Sequence, residues 1–271
     1  VGVGSDDVLS MCFLTFFNGK KPVLFPDITY SFYSVWADLY RIPYEKQKLD
    51  DNMKIVPEDY YKENGGVIFP NPNAPTGLLM DLDSVRDIIE HNKDVVVIVD
   101  EAYIDFGGVS AKDLVNEYDN VLVVQTFSKS RSMAGMRIGY AFGSKELIKA
   151  LNDVKFSFNS YTMNMTSIDM GVASINDKKY FEECVERITA TRERTKEELT
   201  KLGFTFPDSK ANFIFATHKS VPAKEIFEKL KDLNIFVRYF AQPGIDNYLR
   251  ITIGTDEQMD KLISALSEIV G

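Results

Sequence analysis

A chain of 271 residues, 45% of them hydrophobic and 26% charged, is long enough to bury a core and form one large or two smaller domains. Its formal net charge of −9 argues against a nucleic-acid-binding or anionic-membrane-binding surface. Cys12 and Cys184 stand far apart, and His91 and His218 each lack a Cys or His neighbour. That excludes a disulfide framework and a zinc cluster, and leaves two core thiols of a reducing, cytoplasmic compartment.

In chain order, the opening "VGVG" reads as the tail of a strand. Because the chain starts on Val1 rather than Met, a fragment lacking its N-terminal portion is expected. "GSDDV" (4–8) is a small-residue turn opening a helix over 8–17, "VLSMCFLTFF". That run is far shorter than the roughly 20 residues a membrane span needs, and it lacks a signal-peptide layout. A strand is expected at 22–25, a helix at 31–40, a strand at 66–69, a helix at 81–91 and strands at 95–100, 121–127 and 137–143. The runs "VVVIVD" and "VLVVQTF" are continuously apolar and β-branched, which marks strands buried on both faces of a mostly parallel sheet in an α/β unit.

The texture changes near residue 156. "KKYFEECVERITATRERTKEELTKLG" is a long charged amphipathic helix stopped by Gly203. Short strands at 212–216, 235–240 and 249–254, with helices at 223–233 and 256–270, read as a smaller α+β domain. The expected division is therefore 1–155 and 156–271, with His91 and His218 as surface helix or loop residues.

Ligands of parallel sheets sit at the carboxyl ends of the strands, and three polar clusters fall there: "NPNAPTG", "DEAY" and "TFSKS". Lys129 could form a Schiff base with an aldehyde. Thr126, Ser128 and Arg137 offer hydroxyls and a guanidinium to a phosphate, and the free N–H groups of the turn "GSDDV" suit the same anion. Asp100 is a carboxylate ending an apolar strand, Tyr103 a phenol one short turn on, and Tyr30 an aromatic face. Together these groups describe a site for pyridoxal 5′-phosphate. A charged lysine and arginine beside a buried strand are then matched by an aldehyde and a dianion rather than left uncompensated. Taken singly each group has a plainer reading: Ser-Lys-Ser as a solvated loop, Asp100 as a cap, Tyr30 as a core aromatic, Arg250 as a structural ion pair.

With "GSDD", "PDITYSFY", "NPNAPTG", "VDEAYIDF", "TFSKSRSMAGMRIGY" and "VRYFAQPGIDNYLRITIGT" in that order, the chain resembles the fold-type I, class I/II pyridoxal-phosphate aminotransferases, and among them the histidinol-phosphate aminotransferases. The resemblance implies a large domain built on a mostly parallel sheet flanked by helices, a small α+β C-terminal domain, a homodimer, and small-molecule amino-donor and oxo-acid substrates. It implies that Lys129 carries the cofactor and shuttles a proton, Asp100 pairs with the pyridine nitrogen, Tyr103 bonds the phenolic oxygen and Tyr30 stacks on the ring. Thr126, Ser128, Arg137 and the backbone at Ser5 and Asp6 hold the phosphate, and Arg250 and Arg238 receive the substrate's acidic groups. The family's usual Asn before "PTG" is Ala74 here, so Asn73 is the candidate for that contact. In the family, the N-terminal portion adds part of the small domain and a tyrosine that reaches the neighbouring subunit. The activity so implied is transamination between L-histidinol phosphate and 2-oxoglutarate. Alternatives are an aromatic amino-acid aminotransferase, a threonine-phosphate decarboxylase, or a cofactor-binding sensor domain of a transcription regulator.

Overall fold

In the computed structural model, which describes residues 1–271, two sheets organise the chain. The first is built from α1 (Ser5–Phe16), β1 (Val23–Pro26), α2 (Phe32–Tyr40), β2 (Tyr44–Gln47), β3 (Gly66–Pro70), α3 (Leu82–Glu90), β4 (Val97–Asp100), β5 (Val121–Thr126) and β6 (Gly139–Gly143). Its strand order is β2-β1-β3-β4-β5-β6. All neighbours run parallel except β5 and β6.

Successive side chains of a strand point to opposite faces, and here both faces are apolar. Ile68, Ile98 and Leu122 pack with Phe13, Phe17, Tyr33 and Trp36 of α1 and α2. Phe69, Val97, Val99 and Val123 pack on the other face with Val85, Ile88 and Ile89 of α3. Each such side chain, once fully buried, stabilises the fold by about 1.5–3 kcal/mol. Truncating one of them, as in Ile98→Ala, costs about 2–5 kcal/mol because a cavity remains.

α4 (Lys145–Phe158) packs on the first core through Leu147, Ile148 and Leu151. The second part comprises α5 (Met165–Asn176), α6 (Lys178–Lys201), β7 (Phe204–Thr205), β8 (Phe213–His218), α7 (Ala223–Asp232), β9 (Arg238–Tyr239), β10 (Leu249–Thr252) and α8 (Asp256–Val270). Its antiparallel sheet has the order β7-β8-β10-β9. It packs Ile214 and Ile251 against Leu199, Ile226, Leu230, Leu262 and Leu266 of the helices. The long helix α6 ends as the sequence implies, with Gly203 following at φ +86. Buried Arg192 of α6 donates to Phe106 O at 2.8 Å and to Ala211 O at 2.9 Å. It thereby ties the second part to the turn that follows β4.

Several expected elements differ. "VGVG" makes a single bridge, Gly2 with Gly139, rather than a strand. The strand expected from Arg137 starts at Gly139, because Arg137 sits at φ +52 after a short 3-10 turn. The expected strand 235–240 reduces to Arg238–Tyr239, the only residues there that pair with β10. β2, α4, α5 and β7 had no sequence counterpart. His218 is buried rather than superficial, its Nδ1 accepting from the backbone N–H groups of Ser220 and Val221. Cys12 is fully buried, whereas Cys184 is partly exposed. No helix is long and apolar enough to cross a membrane.

Candidate active site

The carboxyl ends of β3, β4 and β5 and the N-terminus of α1 enclose a cavity of about 170 Å³. Ser5, Asp6, Tyr30, Asp100, Tyr103, Ser128, Lys129 and Arg137 line it, with Pro70, Ala74, Ala102 and Ala134. The topology dictates this convergence. Pro70, Asp100 and Val124 are register partners across β3, β4 and β5, so the segments that follow these strands emerge side by side. A larger cleft of about 790 Å³ between α6 and the start of α8 carries none of the cavity's chemical groups.

Asp100 is 4% exposed. Burial pushes its carboxyl up to about 6, while the Tyr33 and Ala102 hydrogen bonds and the Lys129 charge pull the other way. Tyr33 Oη donates to Asp100 Oδ2 at 2.7 Å, and the Ala102 N–H to Oδ1 at 3.2 Å. Lys129 Nζ lies 5.3 Å from the centroid of the Tyr103 ring. That ring meets Phe213 of β8 edge-on at 5.1 Å.

The opposite wall is built for an anion. The N-terminus of α1 has no capping side chain, so its first N–H groups are free to donate outward. Gly4, at φ +90, lets the guanidinium of Arg137 lie against this turn; a Cβ there would sit 2.4 Å from Nη2. Gly139 allows the turn itself to approach β6, since its Cβ would fall 2.2 Å from the carbonyl carbon of Gly4. Arg137 Nη1 donates to Ala134 O at 3.2 Å, and Nη2 stands 3.7 Å from Asp6 Oδ2. Tyr30 Oη donates to Asp6 Oδ1 at 2.8 Å.

Four expected residues lie outside the cavity. Thr126 is buried behind Ser128, its hydroxyl 3.0 Å from Ser128 Oγ and its Oγ1 accepting the Ser128 N–H at 3.1 Å. It orients the serine rather than facing the cavity. The expected contact by Asn73 is corrected. Thr29 donates to its Oδ1 at 3.1 Å, and its Nδ2 donates to Ile28 O at 3.0 Å and Thr76 Oγ1 at 3.3 Å. Its amide is consumed by the segment before α2 and by Thr76, and Ala74 takes the place on the wall. Arg250 sits beyond Phe213 and Arg238 beside Phe240. The Arg250 guanidinium is 5.1 Å from the Phe213 centroid, and its Nε is buried without a partner. The sequence reading missed Tyr33. The available signal was its place three residues after Tyr30 in "TYSFY", in the first turn of α2.

The model of the family described as aminotransferase class I and II matches residues 1–266. The chain belongs to the class I and II aminotransferases. This aminotransferase is 53% identical over 270 residues to a histidinol-phosphate aminotransferase of Clostridium beijerinckii, the match covering 100% of this chain and 75% of the relative. It is 50% identical to one of Lactococcus lactis subsp. cremoris SK11, covering 99% and 75%. A solved histidinol-phosphate aminotransferase of Clostridium acetobutylicum superposes with a TM-score of 0.91 at 24% identity, covering 99% of this chain and 82% of that one. One from Sinorhizobium meliloti, in complex with pyridoxal-5′-phosphate, gives 0.90 at 22%, covering 99% and 76%. These two structures bear on the fold alone.

The aminotransferase's cavity fits pyridoxal phosphate by its own chemistry. An uncapped helix N-terminus, a serine and an arginine meet at a glycine-shaped cradle suited to a phosphate. A buried carboxylate that lacks a cationic partner stands opposite a lysine.

Proposed function

We propose that this aminotransferase uses pyridoxal 5′-phosphate to move an amino group between L-histidinol phosphate and 2-oxoglutarate. Bound in the cavity, the cofactor supplies an electron sink for the negative charge left at the substrate Cα. Lys129 would hold the cofactor's aldehyde carbon, and its Nζ, when free, would accept the proton leaving the substrate Cα. Asp100 keeps the pyridine nitrogen protonated, because a carboxylate beside it raises the nitrogen's pKa. Tyr103 donates to the phenolic oxygen and Tyr30 covers the ring face. Arg137, Ser128 and the N–H groups of Ser5 and Asp6 hold the phosphate, with Thr126 fixing Ser128; Asn73 has no part.

The observation that carries the choice of substrate is the direct pairing of Arg238 with Arg250 across β9 and β10. Like charges directly opposite on a sheet destabilise it, and a phosphate monoester dianion between two guanidinium forks removes that cost. Relatives at 50–53% identity carry the name of this activity, which supports the same choice. The test is a panel of L-histidinol phosphate, L-phenylalanine and threonine phosphate with 2-oxoglutarate, scored by the cofactor's absorbance change. L-histidinol phosphate should give the highest kcat/KM; a preference for phenylalanine would overturn the assignment.

The reading extends to organisation. The division at 155/156, which α4 spans, separates a cofactor-binding part from a smaller substrate-facing part. A cytoplasmic homodimer accounts for the apolar side chains left uncovered around α4 and α5, among them Phe156, Phe158, Met165, Ile168 and Val172.

A further inference from the structure

Tyr33 stands behind Asp100, outside the cavity, with 0% of its surface exposed. Its ring packs against Phe13, Phe25 and Trp36, a role phenylalanine would fill equally well. The hydroxyl is what distinguishes it: it donates to Asp100 Oδ2 at 2.7 Å, whereas Oδ1 receives the longer Ala102 bond at 3.2 Å. One carboxylate oxygen is thus pinned and the other keeps capacity for a further donor.

We propose that Tyr33 is a positioning residue that fixes the orientation of Asp100 and holds it in the ionised form for the cofactor's ring nitrogen. The proposal rests on the reading of Asp100 as that nitrogen's partner. The groups facing Asp100 pull in both directions. Burial and Asp6 of α1 favour the neutral acid; Tyr33, the Ala102 N–H and Lys129 favour the carboxylate. Tyr30 stands near on the cavity side. Cys12 of α1 adds no charge, because burial holds its thiol well above the ordinary range. Among these the Tyr33 bond is the largest influence favouring ionisation. A hydrogen bond to a charged group inside a protein is stronger than one between neutral groups.

The experiment follows the Asp100 carboxyl directly, by carbon-13 NMR of aspartate-labelled, cofactor-free protein, with Asp100→Asn assigning the signal. Tyr33→Phe should move the titration upward by about one pH unit, the size expected of one such bond. Site-specific 3-fluorotyrosine at position 33 keeps the packing and makes the phenol a stronger donor. It should move the titration downward, so the test survives if the Phe variant does not fold. In the cofactor-loaded enzyme, Tyr33→Phe should lower kcat while leaving KM for the amino donor nearly unchanged, because Tyr33 is outside the cavity. An Asp100 titration unmoved by either change overturns the proposal. A shifted titration with full activity in Asp100→Asn leaves the Tyr33 bond intact but overturns the assignment of Asp100 to the ring nitrogen.

Discussion

Arg238 on β9 faces Arg250 on β10 as its direct register partner, and both guanidiniums stack on Phe240, at 5.5 and 5.9 Å from its centroid. One aromatic ring therefore aligns two forks. Arg238→Ala should raise KM for L-histidinol phosphate about a hundredfold, the cost of losing one charge-assisted pair of about 2–3 kcal/mol. KM for phenylalanine should change far less, since one carboxylate needs one fork. Steady-state kinetics with both donors decides this; equal losses would make Arg238 structural.

Asp100 links activity to stability with opposite signs. Burial raises its folded-state pKa to about 6, above the usual carboxylate range. The folded, cofactor-free chain therefore binds this proton more tightly than the unfolded chain does. The resulting stabilisation is full below the unfolded pKa and is lost as pH rises through about 6. The difference between the folded and unfolded carboxyl corresponds to about 3 kcal/mol. Asp100→Asn should thus make the cofactor-free protein more stable at pH 8 by up to that amount, with the gain shrinking as pH falls from 7 to 5. Denaturant melts across that range measure it. The same variant should lose orders of magnitude in kcat.

The phosphate cradle depends on two missing side chains. Gly139→Ala places a Cβ against the Gly4 backbone, which cannot yield as a flexible side chain would. The N-terminus of α1 must shift away from Arg137, and cofactor affinity should fall at least tenfold, about 1.4 kcal/mol. Fluorescence titration of the cofactor-free protein checks this, and an unchanged affinity would remove α1 from the phosphate site.

The sequence revealed most where one physical cause dominates. β4 and β5 were legible because strands buried on both faces need unbroken apolar runs, and α6 because Gly203 stops it. α5 went unread although Met165, Ile168, Val172 and Ile175 recur at helical spacing; the stripe they form is exposed rather than packed on this chain's core. "IFVRYF" is rich in β-branched and aromatic residues like a full strand, yet β10 offers partners only to Arg238 and Tyr239. In the site, the residues following β4 and β5 could be read directly, since strand ends in a parallel sheet converge. What Asn73 and Tyr33 do could not. Asn73 is consumed by Thr29 and Ile28, more than forty residues earlier in the chain. Tyr33 meets an aspartate 67 residues later, a pairing that local pattern does not encode.

Lys129 is the one lysine lining the cavity that also holds Asp100 and Tyr103. Borohydride reduction of the cofactor-loaded enzyme, followed by digestion and mass spectrometry, should place a pyridoxyl group on Nζ of Lys129 and abolish the visible absorbance. Lys129→Ala should carry no such label. A pyridoxyl group on another lysine, or wild-type turnover by Lys129→Ala, would contradict the site described.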